Sequence, residues 1–474
     1  MAATSFRARA DWRVLDGFGR AVQAASRAVA PASVEELVPI VARARQEQLP
    51  ITMRGSGRSY GDASLASGGL AIDLRGLNRI LSWDPSSGVV EAEPGLTIEG
   101  LWRHTLGDGF WPAVVPGTMF PTLGGCVAMN IHGKNNFSVG PFGEHVLELE
   151  LLTVDGRRLR LSPTENSELF YATIGGAGLL GIVTRIKLKL KKVESGLLRV
   201  EPMAARSFGE MVDLFEARLP KSDYLVGWID CFARGAGLGR GEIHQANYVP
   251  AGEVEDAKGS LAIDRQILPP TILGFPRQHI WKVLKLTNND ISWQMLNTVK
   301  YLMARVKPRG STYLQSHVAF AFLLDYVPNW RLSYGRAGFV QYQLFVPEES
   351  APRVIPEVLK LCQERGLVSY LGVFKRHRVD KFLLSHAVDG YSLALDFSAR
   401  DLPKLNSLAR EMTARVLDSG GKFYLAKDLL LQADELARAY GDRLARFSAI
   451  KQQLDPEGLL TSDLAKRLRL DGKR

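Results

Sequence analysis

The sequence predicts an α+β protein of two or three domains. The chain has 474 residues, more than a single hydrophobic core accommodates. Its 46% hydrophobic and 23% charged residues match a globular chain with a large core. Helical and extended segments alternate, but its glycine strings do not stand between a strand and a helix, as a doubly wound parallel sheet requires.

Residues 33–48, SVEELVPIVARARQEQ, place Val34, Leu37, Val38, Val41 and Ala44 on one helical face behind a Ser33–Glu36 capping box. Leu49-Pro50 ends that helix. ITMRGSGRSYGD is a strand entering a glycine loop, GGLAIDLRGLNRI a strand and turn, and SGVVEAEPG a short alternating strand. Glu99 to Gly107 predicts a helix, and FWPAVVPGT an extended piece. TLGGCVAMNIHGKN is small and apolar. HVLELELLTVDGRRLRLSP reads as a hairpin around Asp155-Gly156, ENSELFYATIG as a helix, and GIVTRIKLKLKKV as a strand. Glycine loops become rarer after about residue 196, where an α+β region begins. It contains the strands FVQYQLFVP and YSLALDF and helices over 349–366 and 401–419. GKFYLAKD and a helical tail to Leu470 close the chain.

Several function classes are excluded or weakened. Cys126, Cys231 and Cys362 form no C-x-x-C pair, which argues against structural zinc and a disulfide framework and suits a reducing compartment. No His/Asp/Glu spacing resembles a metal site. The start, MAATSFRARADWRVLDGFGR, lacks the apolar run of a signal peptide, and no window is long and apolar enough to span a membrane. A cytoplasmic location is expected. The net charge of +10 admits anionic partners, but no helix-turn-helix, zinc-finger or RNP pattern points to nucleic acid.

Three glycine strings carry the chemistry. Gly176-Ala-Gly178-Leu-Leu-Gly181 is a literal G-x-G-x-x-G, but a helix precedes it and a strand follows. It therefore predicts a tight connection, not a nicotinamide fingerprint. Gly57-Arg-Ser59-Tyr-Gly61 matches a nucleophile elbow, but DASLASGGLAIDL follows where that motif needs a helix. Its successive N–H groups instead suit an anion nest. PGTMFPTLGGCVAMNIHGKN is a second glycine loop. Neither loop carries acidic residues except at its rim, which points to a large anionic cofactor.

RGSGRSYGD, PGT…PTLGG…IHGKN, ELFYATIGGAGLLGIVT and FYLAKD…DP…SDLAKRL together resemble the vanillyl-alcohol-oxidase (PCMH-type) FAD-binding oxidases. Within that family the closest group is the decaprenylphosphoryl-ribose oxidases. The resemblance implies a two-part PCMH-type FAD-binding domain over residues 1–195 and a substrate-binding domain over 196–419. The latter is built on an antiparallel sheet with flanking helices, and residues 420–474 return to the FAD domain. It further implies that Arg54, Gly55, Ser56, Gly57, Arg58 and Ser59 bind the FAD pyrophosphate through backbone amides. Gly117, Thr118, Thr122, Gly124, Gly125, Ala128 and His132 line the flavin, and Ile182-Val183 approach the adenosine side. Tyr60, Lys134, Gln341, Gln343, Lys375, Tyr424 and Lys427 face flavin or substrate. Read without the resemblance, Gln341 and Gln343 are the polar outer face of a strand. Two positions depart from the group's pattern: Ala394 stands where mycobacterial members carry cysteine, and the sequence differs just beyond Asn135.

The implied activity is oxidation of a sugar hydroxyl by hydride transfer to flavin N5, at the 2′-hydroxyl of a polyprenyl-phosphate-linked pentose. Lys427 is the candidate base or phosphate ligand, with Tyr424 and His132 assisting. FAD is expected to be non-covalent, because Arg58 stands where covalent members carry the attaching histidine. One alternative is a soluble sugar or D-arabinono-1,4-lactone oxidase; another is a non-catalytic basic protein that binds anions or membranes. A nicotinamide-dependent reductase is the implied partner. Residues 273–311 contain seven Lys/Arg and one acid, Asp290, interleaved with apolar side chains. They predict either a helical hairpin packed on the substrate domain or a peripheral contact with an anionic membrane.

Overall fold

Small and branched residues at alternate positions build the first sheet, in the order Asp11–Asp16, Gln23–Val29, Leu70–Asp73, Ile51–Arg54. Its first pair is antiparallel and the other two are parallel. The computed structural model describes residues 11–272 and 274–471, so the expectation about the chain's first ten residues lies outside it. The helix Val34–Gln46 covers this sheet with Leu37, Val41 and Ala44. Its capping box is not made: the Ser33 hydroxyl turns to the Glu35 carboxylate. Glu36 accepts instead from the Ala32 N–H at 2.9 Å.

The second sheet is antiparallel throughout, in the order Ile80–Asp84, Val89–Ala92, Ile182–Lys189, Val146–Leu152, Arg158–Leu161. Its hairpin turns at Gly156, where φ is 87° and only glycine is free of strain. Both sheets are built from residues 11–189. TLGGCVAMNIHGKN, small and apolar, carries a helix at Leu123–Ala128. Six residues with two glycines have little helical propensity. Tertiary contacts hold them: Leu123 and Gly124 donate N–H to the carbonyls of Leu96 and Pro94.

The third sheet has eight strands, in the order Tyr313–Ser316, Leu197–Ala205, Gly241–Tyr248, Tyr224–Ile229, Gly372–His377, Gly390–Ser398, Phe339–Pro347, Lys422–Phe423. All neighbours are antiparallel. One face packs Val340, Tyr342, Leu344, Leu393 and Leu395 beneath the helices Phe208–Arg218, Ala351–Glu364 and Leu402–Asp418. The period of two turns Gln341, Gln343, Ala394 and Lys375 to the opposite face, where they meet the glycine loops.

Beyond Phe423 the chain returns to the first sheet. Ile51 donates to Leu459 O at 2.7 Å and accepts from Thr461 N at 2.9 Å. Arg467 bonds the Asp62 carboxylate at 2.9 Å and that of Asp428 at 2.9 Å, and both carboxylates are nearly out of water. Removing the cation strands two buried anions. Arg467→Ala should therefore lower unfolding stability by about 3 kcal/mol in urea titration. Arg467→Lys should recover part of this, because lysine keeps the charge but not the fork geometry.

Candidate active site

A cavity of about 560 Å³ lies between the glycine loops and the inner face of the eight-stranded sheet. Its walls contain Arg58, Lys134, Lys300, Lys375 and Lys427, and no Asp or Glu. Among the described residues, no group of three or more His, Cys, Asp or Glu is placed to hold a metal.

The strand Ile51–Arg54 delivers the first loop. The N–H groups of Ser56, Gly57, Arg58 and Ser59 donate to no protein acceptor among the described residues, so the turn is an open anion nest. Gly57 makes this possible with φ 62°. Gly55 permits contact with Thr122, since a Cβ there would stand 2.2 Å from the Thr122 hydroxyl. Arg58 lies over Phe18 and Phe120 at 5.3 and 4.8 Å, and its Nε is buried without a partner. Burial holds the guanidinium pKa of both Arg54 and Arg58 below the ordinary value. Arg54 itself stays behind the wall, donating to Asp16 O at 2.9 Å and Ser64 Oγ at 3.1 Å.

The second loop approaches closely rather than offering a nest. Thr118 Oγ1 and Met119 N both donate to Asp325, at 2.7 and 2.8 Å, which ties the loop to the turn Leu323–Asp325. Thr122 caps its short helix through Gly125 N at 3.3 Å. Gly117, Gly124, Gly125 and Ala128 present backbone to the cavity. GGAGLLG follows the helix Ser167–Thr173 and precedes the strand Ile182–Lys189. Gly175 and Ala177 donate to Val127 O and Ala128 O, both at 2.9 Å, and this places Gly178, Gly181 and Val183 on the wall. Ile182 does not reach it; its side chain packs in the core with Leu37 and Ile72.

At the other end, Gln341 and Gln343 are buried, not an outer strand face. Gln341 Nε2 donates to Asp396 at 2.5 Å, and Gln343 Nε2 donates to His132 Nε2 at 3.1 Å. That leaves Nδ1–H on His132, buried and unpartnered. Burial first, then the neighbouring Lys375, holds this imidazole neutral, well below its usual pKa. Lys427 Nζ sits 3.4 Å from the centre of the Tyr60 ring. Burial lowers its pKa, with Asp396 opposing and Lys375 reinforcing. Burial also pushes Lys375 down to about 8. Lys134 is committed to the carbonyls of Phe320 and Ala321. Tyr424 packs 5.1 Å from His132.

Comparison with known proteins agrees. Residues 25–162 match the FAD binding domain family, and residues 345–468 match the D-arabinono-1,4-lactone oxidase family. Decaprenylphosphoryl-β-D-ribose oxidase of Mycolicibacterium smegmatis is 31% identical over 96% of this chain and 97% of its own. The chain belongs to this family of FAD-linked oxidases. An uncharacterised protein of Streptomyces coelicolor is 30% identical over 79% of this chain and all of its own. Cytokinin dehydrogenase 7 of Oryza sativa is 35% identical over 38% of this chain and 35% of its own.

FAD is the cofactor of this oxidase, and the residues present suit it. The open N–H groups at 56–59 and the unpartnered Arg58 Nε meet a pyrophosphate's need for donors. The sequence did not reveal the residues behind the sheet end of the cavity. Ser392 Oγ joins Gln343 at 3.4 Å to His377 at 2.8 Å, and the His377 and His386 rings lie 5.0 and 5.1 Å from His132. Asp396 had only its strand alternation as a signal. Trp228 and Lys300 had none.

Gly55→Ala should drive the Thr122 hydroxyl from Gly125 and close the nest. Flavin absorbance per mole of purified protein should fall severalfold. Gly107→Ala, where a Cβ meets open space, should keep a full complement.

Proposed function

We propose that this enzyme oxidises a secondary hydroxyl of a phosphate-bearing sugar to a ketone, at the 2′-hydroxyl of a polyprenyl-phosphate-linked pentose. The observation that carries this reading is the charge of the cavity. Lys134, Lys300, Lys375 and Lys427 line it away from the FAD nest, and no carboxylate shares that wall; Asp396 and Glu242, behind it, offset the burial of Lys427 and Lys300 only in part. A neutral aldonolactone gains nothing from that excess, whereas a phosphodiester does. We assign FAD binding to residues 1–195 with 420–474, and substrate binding to 196–419.

The hydride acceptor for the carbinol carbon would be supplied by FAD when bound, and the chain's own residues bind, orient and deprotonate the sugar. Lys427, lowered in pKa by burial, is present in part as the free amine and takes the hydroxyl proton. Tyr60 holds Lys427 from below through its ring. Gln341 and Gln343 share one strand face and orient the sugar hydroxyls, and neutral His132 is fixed beside them by the bond it accepts from Gln343. Lys375 supplies the cation for the phosphate. The resulting keto sugar is a substrate for a nicotinamide-dependent reductase, the partner proposed here. FAD is held non-covalently, since the Arg58 guanidinium stays protonated and is no nucleophile. Acid precipitation should leave the yellow colour in the supernatant, and colour in the pellet would contradict this.

The decisive experiment offers the purified holoenzyme a polyprenyl-phosphoryl pentose or D-arabinono-1,4-lactone anaerobically and records flavin bleaching. Bleaching by the phosphorylated sugar alone is expected; bleaching by the lactone alone would assign the soluble-sugar activity instead. Lys427→Ala should lower kcat at least about 100-fold with little change in KM, as loss of a base requires. A raised KM at unchanged kcat would make Lys427 a phosphate ligand. The two lysines act in opposite senses with pH. As pH rises through neutrality Lys427 loses its proton and kcat climbs. Above about 8 Lys375 loses its charge and substrate KM rises. The kcat/KM profile should therefore be bell-shaped, and Lys375→Gln should remove its alkaline limb.

A further inference from the structure

Exposed apolar side chains are normally scattered singly; here they are concentrated. Of the twenty large apolar residues exposed among the described residues, fourteen fall between Ile263 and Leu314. The helix Asp290–Val306 shows why. Asn297, Tyr301 and Ala304 are its buried stripe. Ile291, Met295, Val299, Leu302 and Val306 follow at spacings of four, four, three and four, which puts them on one other stripe. Ile291 is 80% exposed, Met295 69% and Val306 81%. The preceding helix, Arg277–Leu286, buries no residue and exposes Val283 and Leu286.

The charges beside this stripe have one sign. Lys282, Lys285, Arg305 and Arg309 are exposed, and none has a carboxylate at ion-pair distance among the described residues. Asp290, the acid of this stretch, accepts from Tyr370 OH at 2.9 Å. Two cations of the stretch are turned to other work. Lys307 pairs with Glu242 at 2.8 Å, and Lys300 lays its ammonium 4.0 Å from the centre of the Trp228 ring, on the cavity wall. The helix that exposes the apolar stripe therefore also contributes to the cavity.

We propose that the helices Arg277–Leu286 and Asp290–Val306 dock this enzyme onto an anionic lipid bilayer. The apolar stripe would enter the acyl boundary, with Lys282, Lys285, Arg305 and Arg309 at the headgroups. Both signals of interfacial binding are present, apolar area and cationic rim. A second copy of the chain fits poorly. A two-fold contact through the same patch would set these cations against themselves, with Asp290 the single acid of the two helices. The surface is independent of which sugar the cavity accepts, so failure of the substrate assignment leaves it standing.

Flotation of the holoenzyme with vesicles tests this. The protein should float with phosphatidylglycerol-containing vesicles at low salt, much less with pure phosphatidylcholine, and be released by high salt. Each cation near an anionic surface is worth roughly fivefold in binding. Lys282→Glu/Lys285→Glu/Arg309→Glu should therefore weaken binding by at least about a hundredfold. Val299→Gln/Leu302→Gln should weaken it independently and leave less residual binding in salt. Flavin absorbance confirms that the variants fold, since none of these residues lines the cavity. Failure of the wild type to float, or equal flotation by all three proteins, would overturn the proposal. So would a stable dimer in light scattering that Val299→Gln/Leu302→Gln dissolves, which would assign the patch to a second copy.

Discussion

A cation taken out of water without a counter-charge costs several kcal/mol, and the cavity wall carries this burden repeatedly. No carboxylate lines that wall; Asp396, Glu242 and Asp325 act from behind it and offset the burial only in part, and aromatic ring faces supply the direct contacts. Arg58 lies over Phe18 and Phe120, Lys134 over Phe320 at 4.4 Å, Lys427 over Tyr60 and Lys300 over Trp228. Ring faces attract a cation through their quadrupole but do not neutralise it, so the positive potential stays available to an anion entering the cavity. A carboxylate would have held each cation more tightly and cancelled the field. This constraint accounts for much of the aromatic packing around the site. Phe18, Tyr60 and Phe339 stack edge-to-ring at 5.1 to 6.4 Å, forming a rigid floor under Lys427.

Geometry at the sheet end of the cavity rests on strand register. Gln341 stands opposite Asp396, Gln343 opposite Ala394, and Lys375 opposite Ser392. Three strands thereby bring their polar residues into one patch, while Leu344, Leu393 and Phe374 point into the helical core. A slip of one residue would exchange the two faces. The large apolar core on the far side is what holds a polar, charged face against the cofactor domain. Stability and chemistry are opposite sides of the same strands.

Sequence showed the parts of this site that leave a backbone signature. A positive φ at Gly57 and the close approach at Gly55 require glycine, so the first loop could be read directly. The order helix, glycine string, strand around GGAGLLG was enough to reject a Rossmann unit. Gln341 and Gln343 were recognisable as a pair through their spacing, but only the sheet decides which face is buried. Ser392, Asp396, His377 and His386 escaped notice because their role comes from pairing with distant strands. Leu123–Ala128 escaped because carbonyls of another segment, not its own propensity, make it helical. Lys300 was counted among surface charges, and only the packing of its helix turns it onto Trp228.

The return of the last residues to the first sheet bears on how the molecule is made. Ile51–Arg54 is the outermost strand of that sheet, and its backbone is met by residues 459–461, about 400 positions later. Tyr424 and Lys427 likewise come from the end of the chain. While the ribosome is still at work, the early sheet carries an uncovered edge of the kind that recruits foreign strands, and the cavity has no floor. Contacts this distant in sequence also close slowly. The edge beside Ile51 therefore stays open until residues 459–461 have been made, and the cavity is completed only after Tyr424 and Lys427.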